Sequence, residues 1–255
     1  MQKANVDEPE ILKSNGEYLF YYANTNYGND SYISILKAPK KADLSDAEVL
    51  KKITIPATLS NIQLFLQNNY LIILGTRYSQ TESVLGNARS IAIVYDITDM
   101  EHLLLKKLIE VQGSYQDARI VDGELYLISN ISLNRYDIAY AEKPFVFNDI
   151  LPTSIELVLK ANPTSALTGN ILNSYNKIKT SLPCNSIFYL FPSEETLKEH
   201  YLLPNFTLIS KLSLENVEKK LEQKLVFGAV DEFHMSEEAL YLPSPIYFSS
   251  PRKCL

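Results

Sequence analysis

The sequence predicts an all-β chain: a propeller-like repeat of short antiparallel blades, open and incomplete, of about four blades. Three observations lead there. A turn running straight into an apolar strand recurs at Asn15-Gly16-Glu17-Tyr18-Leu19, Asn68-Asn69-Tyr70-Leu71-Ile72, Asp122-Gly123-Glu124-Leu125-Tyr126 and, with blurred turn chemistry, Glu237-Glu238-Ala239-Leu240-Tyr241. The second turn residues stand at 16, 69, 123 and 238, so the first two steps nearly match and the third is about two periods. Each period holds several short strand candidates, and the supply of 17 Tyr and 10 Phe without Trp suits half-buried pleated faces.

The whole chain reads as one domain. The first blade covers about 11–56: Ile11-Leu12-Lys13, the Asn15-Gly16 turn, Tyr18 to Tyr22, the alternating Tyr32 to Lys37, and Val49 to Ile55 stopped by Pro56. The second, about 62–112, holds Ile62 to Leu66, Tyr70 to Leu74, the apolar Ser90 to Ile97 and Leu105 to Val111. The third, about 115–228, begins with Tyr115 to Val121 and Leu125 to Ser129. It is then delayed by an insertion over 133–183 containing Pro144, Pro152, Pro163 and Pro183. Such loops carry function more often than the scaffold does. Ile155 to Leu159 inside it fits a short strand or a helical turn. Ser186 to Phe191, Phe206 to Leu214 and Glu222 to Phe227 resume the blade, and a partial blade fills 230–255.

The expected core between blades is Leu19, Leu71, Ile73, Ile93, Tyr95, Leu125, Leu127, Ile209 and Leu240. Gly16 and Gly123 are expected at positive φ in two-residue hairpins, because primed turns match strand twist. Ile11-Leu12-Lys13 and Ile246-Tyr247-Phe248 are the candidate strands for joining the two ends. With the ring open, the sheet around Leu240 to Phe248 would expose an apolar edge and favour self-association.

Composition excludes several functions. A net charge of −6, without a basic stripe, argues against a nucleic-acid partner. No run approaches 18 apolar residues, so no transmembrane segment is expected in this chain, and the start lacks an apolar signal core. The two cysteines, Cys184 and Cys254, are too few for a disulfide framework and have no zinc-ligand spacing around them. The three histidines are isolated, and no Gly-x-Ser-x-Gly elbow, phosphate-binding Gly-Lys loop or His-Glu-x-x-His motif is present. No cofactor is expected, and no turnover on generic ester, glycoside or phosphate substrates. Asp96, Asp99 and Glu101 share a turn after a strand and offer oxygen ligands to a hard cation, calcium, without EF-hand spacing. Asp117 and Arg119 are candidate binding residues, or an ion pair fixing one blade against the next.

Several phrases carry a family resemblance. The opening Val6-Asp7-Glu8-Pro9-Glu10-Ile11 followed by a turn and strand resembles the start of the secreted bacterial and archaeal beta-propeller domain family. Val94-Tyr95-Asp96-Ile97-Thr98-Asp99, Gly113-Ser114-Tyr115 with Arg119, and Phe227-Gly228-Ala229-Val230-Asp231 are similar to its later phrases. The resemblance covers most of the chain and is weakest over 133–183. It implies a propeller fold and an extracytoplasmic, secreted or cell-surface location, with the targeting segment absent from this chain, which reads as an N-terminal part of the domain. It implies no catalytic residues. Asp7 and Glu8, in the most family-like phrase, are candidate contacts to a ligand or partner, or caps for backbone amides where the chain enters the first blade. The leading functional expectation is a non-catalytic module binding a protein or a glycan. The alternatives are a propeller hydrolase with carboxylate acid and base, or a structural module completed by further blades or a second copy. Carboxylates converging on a central channel would favour the enzyme.

Overall fold

The computed structural model describes residues 6–23, 31–37, 48–55, 58–78, 85–133, 151–159, 175–188, 205–227, 233–236 and 239–243. After a two-residue strand β1 (Val6–Asp7), the first sheet pairs β2 (Leu12–Ser14), β3 (Tyr18–Ala23), β4 (Ser31–Lys37) and β5 (Val49–Ile55), all antiparallel and in chain order. The second sheet repeats that meander with β6 (Leu59–Gln67), β7 (Tyr70–Tyr78), β8 (Ala88–Asp96) and β9 (Leu104–Gln112). The third starts with β10 (Ser114–Val121) and β11 (Glu124–Ser132).

The insertion interrupts the third sheet and adds to the second. Its hairpin, β12 (Thr153–Leu159) and β13 (Tyr175–Ser181), lies outside β9, with Leu157 opposite Leu108. Ile155 to Leu159 is therefore strand and not helix. A two-residue β14 (Ile187–Phe188) runs parallel to β16 (Glu222–Phe227), which pairs with β15 (Asn205–Ser213) to complete the third sheet. A hairpin of β17 (His234–Met235) and β18 (Leu240–Tyr241) begins the fourth.

Three apolar cores lie between these sheets. Phe20, Ile33, Ile35, Ile53 and Ile55 of the first sheet meet Leu64, Leu71, Ile73, Tyr95 and Leu157 of the second. The opposite face of the second, with Phe65, Ile72, Leu74, Ala92 and Val94, meets Tyr115, Ala118, Leu125, Leu127 and Leu208 of the third. Ile128 and Ile209 on the far face of the third meet Phe233, Met235, Leu240 and Leu242. Face-to-face sheets stacked in sequence are blades in an arc. Strand β7 is buried over Leu71–Thr76 because blades cover both its faces, whereas β4 alternates between buried and half-buried because, among the described residues, one of its faces meets another blade.

Of the nine expected core residues, Leu71, Ile73, Tyr95, Leu125 and Leu127 are buried and the other four are half-buried. Leu19 lies on the uncovered face of the first blade, and its neighbour Phe20 takes the core position. Ile209 of the third blade and Leu240 of the partial fourth lie in the small core between those two blades.

The turns show how local chemistry sets register. Asp122 (φ 49) and Gly123 (φ 72) connect Val121 to its partner Glu124, a two-residue hairpin with both residues left-handed. At the first hairpin Ser14 faces Leu19 and the Asn15 amide donates to the Tyr18 carbonyl, so the linking pair is Gly16-Glu17, not Asn15-Gly16. Gly16 still takes a positive φ, and the Asn15 carboxamide oxygen accepts from the Glu17 and Tyr18 amides. The 237–238 turn lies outside the described residues.

Gly113 joins the second blade to the third at φ 99. A Cβ there would stand 2.7 Å from the Asn130 carbonyl oxygen and 2.8 Å from Ile131 Cγ1. Gly113→Ala is expected to cost more than the roughly 1–2 kcal/mol of a left-handed backbone alone, because the clash adds to it. Urea denaturation measures this, and an unchanged midpoint would refute it.

Val6 to Ser14 forms a strap. Val6 and Asp7 pair with Val121 and Ile120 on the free edge of β10. Glu10 then exchanges backbone hydrogen bonds with Leu64 of β6, at 3.1 and 2.6 Å, before Leu12 enters the first blade. One short segment thus ties together the first strands of three blades. Of the two candidate strands for joining the ends, Leu12–Ser14 pairs with β3, and 246–248 lies outside the described residues. Among the described residues no helix is long and apolar enough to cross a membrane.

Candidate functional site

The hub is built by the strap and by a β-bulge. The register of β10 shifts between Tyr115 and Asp117, which re-aims the side chains around Asp117. Asp117 Oδ1 accepts from its neighbour's amide at 2.7 Å and from Arg119 Nη1 at 2.8 Å. Arg119 Nη1 also donates to the Ala118 carbonyl at 2.6 Å, while Nη2 stands 3.3 Å from Glu8 Oε1 on the strap. The guanidinium carbon lies 4.9 Å from the centre of the Phe233 ring at the start of the fourth blade. Arg119 therefore binds the strap, the third blade and the fourth at once.

A second cation works beside it. Lys13 Nζ donates to Asp7 Oδ1 at 2.9 Å and to the Glu8 carbonyl at 2.6 Å, and sits 5.5 Å from the centre of the buried Phe65 ring. All four residues singled out as binding candidates, Asp7, Glu8, Asp117 and Arg119, thus gather at the hub. The carboxylates make ion pairs with Lys13 and Arg119.

The turn with Asp96, Asp99 and Glu101 is organised around its own backbone. Asp96 Oδ1 accepts from the Thr98 amide at 3.0 Å and its hydroxyl at 2.7 Å, and Lys106 lies 3.6 Å from Oδ2. These bonds, the Thr98 hydroxyl first, hold the Asp96 carboxyl below its usual range. Asp99 caps the Glu101 and His102 amides and meets the His102 ring at 3.0 Å, and that ring contact leads in lowering its pKa. Among the described residues no three His, Cys, Asp or Glu side chains group closely enough to hold a metal ion. Cys184 is an exposed free thiol, and Cys254 lies outside the described residues.

A cleft of about 800 Å³ opens where the inserted hairpin and the third blade meet. Tyr126, Ile209, Lys211 and Gln223 line it from the third blade, Leu240 and Leu242 from the fourth, and Ser154, Glu156 and Thr180 from the inserted hairpin. Phe188 of β14, half exposed, adds a second aromatic. The ammonium groups of Lys211 and Lys224 lie 5.9 and 5.5 Å from the Tyr126 and Phe188 ring centres, and Gln223 is steadied by a 3.0 Å bond to Ser210. Aromatic faces among lysines, an amide and hydroxyls provide both apolar contact and polar orientation. None of these residues was a site candidate, and Ile209 and Leu240 were expected in the core. The signal that pointed here was the insertion itself, which supplies one wall.

Stacked four-stranded meanders tied at their first strands define a propeller-type scaffold. The chain belongs to the beta propeller domain family, whose model matches residues 1–253. No curated protein and no solved structure matches it.

Proposed function

We propose that this is a non-catalytic binding module working outside the cytoplasm, with a glycan or a protein segment as its ligand. The cleft beside the inserted hairpin carries this reading: it has the volume of a ligand site and joins two aromatics to lysines, an amide and hydroxyls. The hub carboxylates are engaged in ion pairs that tie the strap to the third blade, a structural use that leaves the cleft as the ligand site. The location rests on the likeness of the Val6-Asp7-Glu8-Pro9 opening to secreted propeller proteins.

Screening the chain against arrayed glycans and peptides tests the proposal. One ligand class should bind, and Tyr126→Ala or Phe188→Ala should weaken it by roughly 1–3 kcal/mol, the worth of an aromatic anchor. Binding that ignores both substitutions would overturn the cleft, and hydrolysis lost on Asp117→Ala would replace the module with an enzyme.

Self-association is part of the same proposal. The outer face of the first blade presents Leu12 and Tyr21, 47% and 43% exposed, and Tyr241 stands 61% exposed at the other end of the arc. Apolar surface of this kind favours contact with another copy. Light scattering should report a mass above the monomer at micromolar concentration, and a clean monomer there would refute it.

A further inference from the structure

The second blade carries two arginines directly opposite one another, Arg77 in β7 and Arg89 in β8. Cβ atoms of such partners stand about 4.5–5.5 Å apart, and like charges placed so destabilise a strand pair. One carboxylate answers both. Glu110 of β9, buried and itself opposite Ile91, holds Arg77 Nη2 with Oε2 at 2.6 Å. Arg89 Nη2 has only the Thr153 hydroxyl, at 3.3 Å. Arg77 Nε and Arg89 Nη1 are buried without a hydrogen-bond partner. Burial lowers the Arg89 pKa, Glu110 opposes that shift and Arg77 adds to it, as expected of two cations sharing one anion.

Buried donors left unmade are costly, and those of charged groups most of all. Two guanidinium groups on directly paired residues, each with a spare N–H bond, offer the donors that recognise oxyanions. The two spare donors are covered, and the Arg77 side chain, 34% exposed, is the group that would swing aside to admit an anion. We propose that Arg77 and Arg89 form a receptor for one oxyanion, whose oxygens accept from Arg77 Nε and Arg89 Nη1 while Glu110 and Thr153 hold the two side chains in place. Sulfate, phosphate and carboxylate share this chemistry. The receptor stands on the second blade, away from the cleft, and does not depend on the cleft having a ligand.

The test titrates the full chain with sulfate, phosphate, acetate and glucuronate at constant ionic strength set with chloride. Calorimetry reads affinity and stoichiometry, and thermal melting reads stabilisation. At least one anion should bind at a single saturable site and raise Tm. Sulfate and phosphate binding alone would mark a tetrahedral ligand, while binding of acetate and glucuronate would mark an acidic sugar or peptide carboxylate. Arg89→Gln should abolish the effect, and Lys52→Gln, exposed on the first blade, should leave it unchanged. Glu110→Gln removes the competing carboxylate, so it should lower Tm without anion, bind anion several-fold tighter than the parent chain, and recover Tm on saturation. A merely structural Arg77–Glu110 pair would show the loss without the tighter binding. No saturable binding by the parent chain, or binding unchanged in folded Arg89→Gln, overturns the proposal. Should Arg89→Gln fail to fold, the Glu110→Gln affinity decides.

Discussion

Lys107→Met is expected to destabilise the protein by about 3–5 kcal/mol, because it strands a buried carboxylate. Lys107 Nζ lies 2.7 Å from Glu156 Oε2, with side chains only 5% and 8% exposed. The same ammonium donates to the Lys219 carbonyl at 2.7 Å. These bonds join the original outer strand of the second blade to the inserted hairpin and to the loop of the third blade. The substitution removes the charge but keeps the apolar volume, so the cost falls on desolvated Glu156. Replacing both partners, Lys107→Met with Glu156→Leu, should recover most of the loss, since a buried pair and a packed apolar pair differ little. Urea denaturation of the single and double variants measures this. A double variant as unstable as the single would show that the carboxylate is not the cause.

Phe65→Ala should cost about 3–5 kcal/mol by leaving a cavity that rigid neighbours cannot fill. Phe65 has no exposed surface and packs among Ile72, Leu74, Tyr115 and Leu125 between the second and third blades. Its ring also lies beneath the Lys13 ammonium, so truncation loosens the strap as well as the core. Val6–Asp7 amides should then exchange faster than those of the first blade's meander. A loss below about 1 kcal/mol would mean that the interface collapses around the gap.

Much of the architecture was legible because each blade spells its own local rules. The alternation of Tyr32 to Lys37 marks a sheet with one covered face, and the unbroken apolar run of Tyr70 to Leu74 marks one with two. Positive φ at Gly123 follows from Asp-Gly between strands. Asn15-Gly16 led to the right turn one residue out of place, because the Asn15 side chain engages the turn amides instead of occupying a linking position. Long-range partners left no local mark. Val6 and Asp7 form a strand too short for any period to reveal, made only by a distant edge. The inserted hairpin looked like an addition to the third blade, where it falls in the chain, yet it pairs with the second. The hub residues were named from one phrase and one i, i+2 pair, while Lys13 and Phe233, which complete their contacts, stand in unremarkable stretches. The cleft and the Arg77–Arg89 pair depend on register, which one sequence does not disclose.

The strap sets an order of events. Val6 and Asp7 leave the ribosome ahead of the blades, but their partners Ile120 and Val121 come after two whole blades. Local meanders can form as each emerges, since their contacts are close in sequence, whereas the strap waits for a long loop to close. A segment made before all the blades is therefore secured only after two of them. During that interval its edge-forming backbone is open to capture, and whatever holds the nascent strap decides whether the arc locks in register.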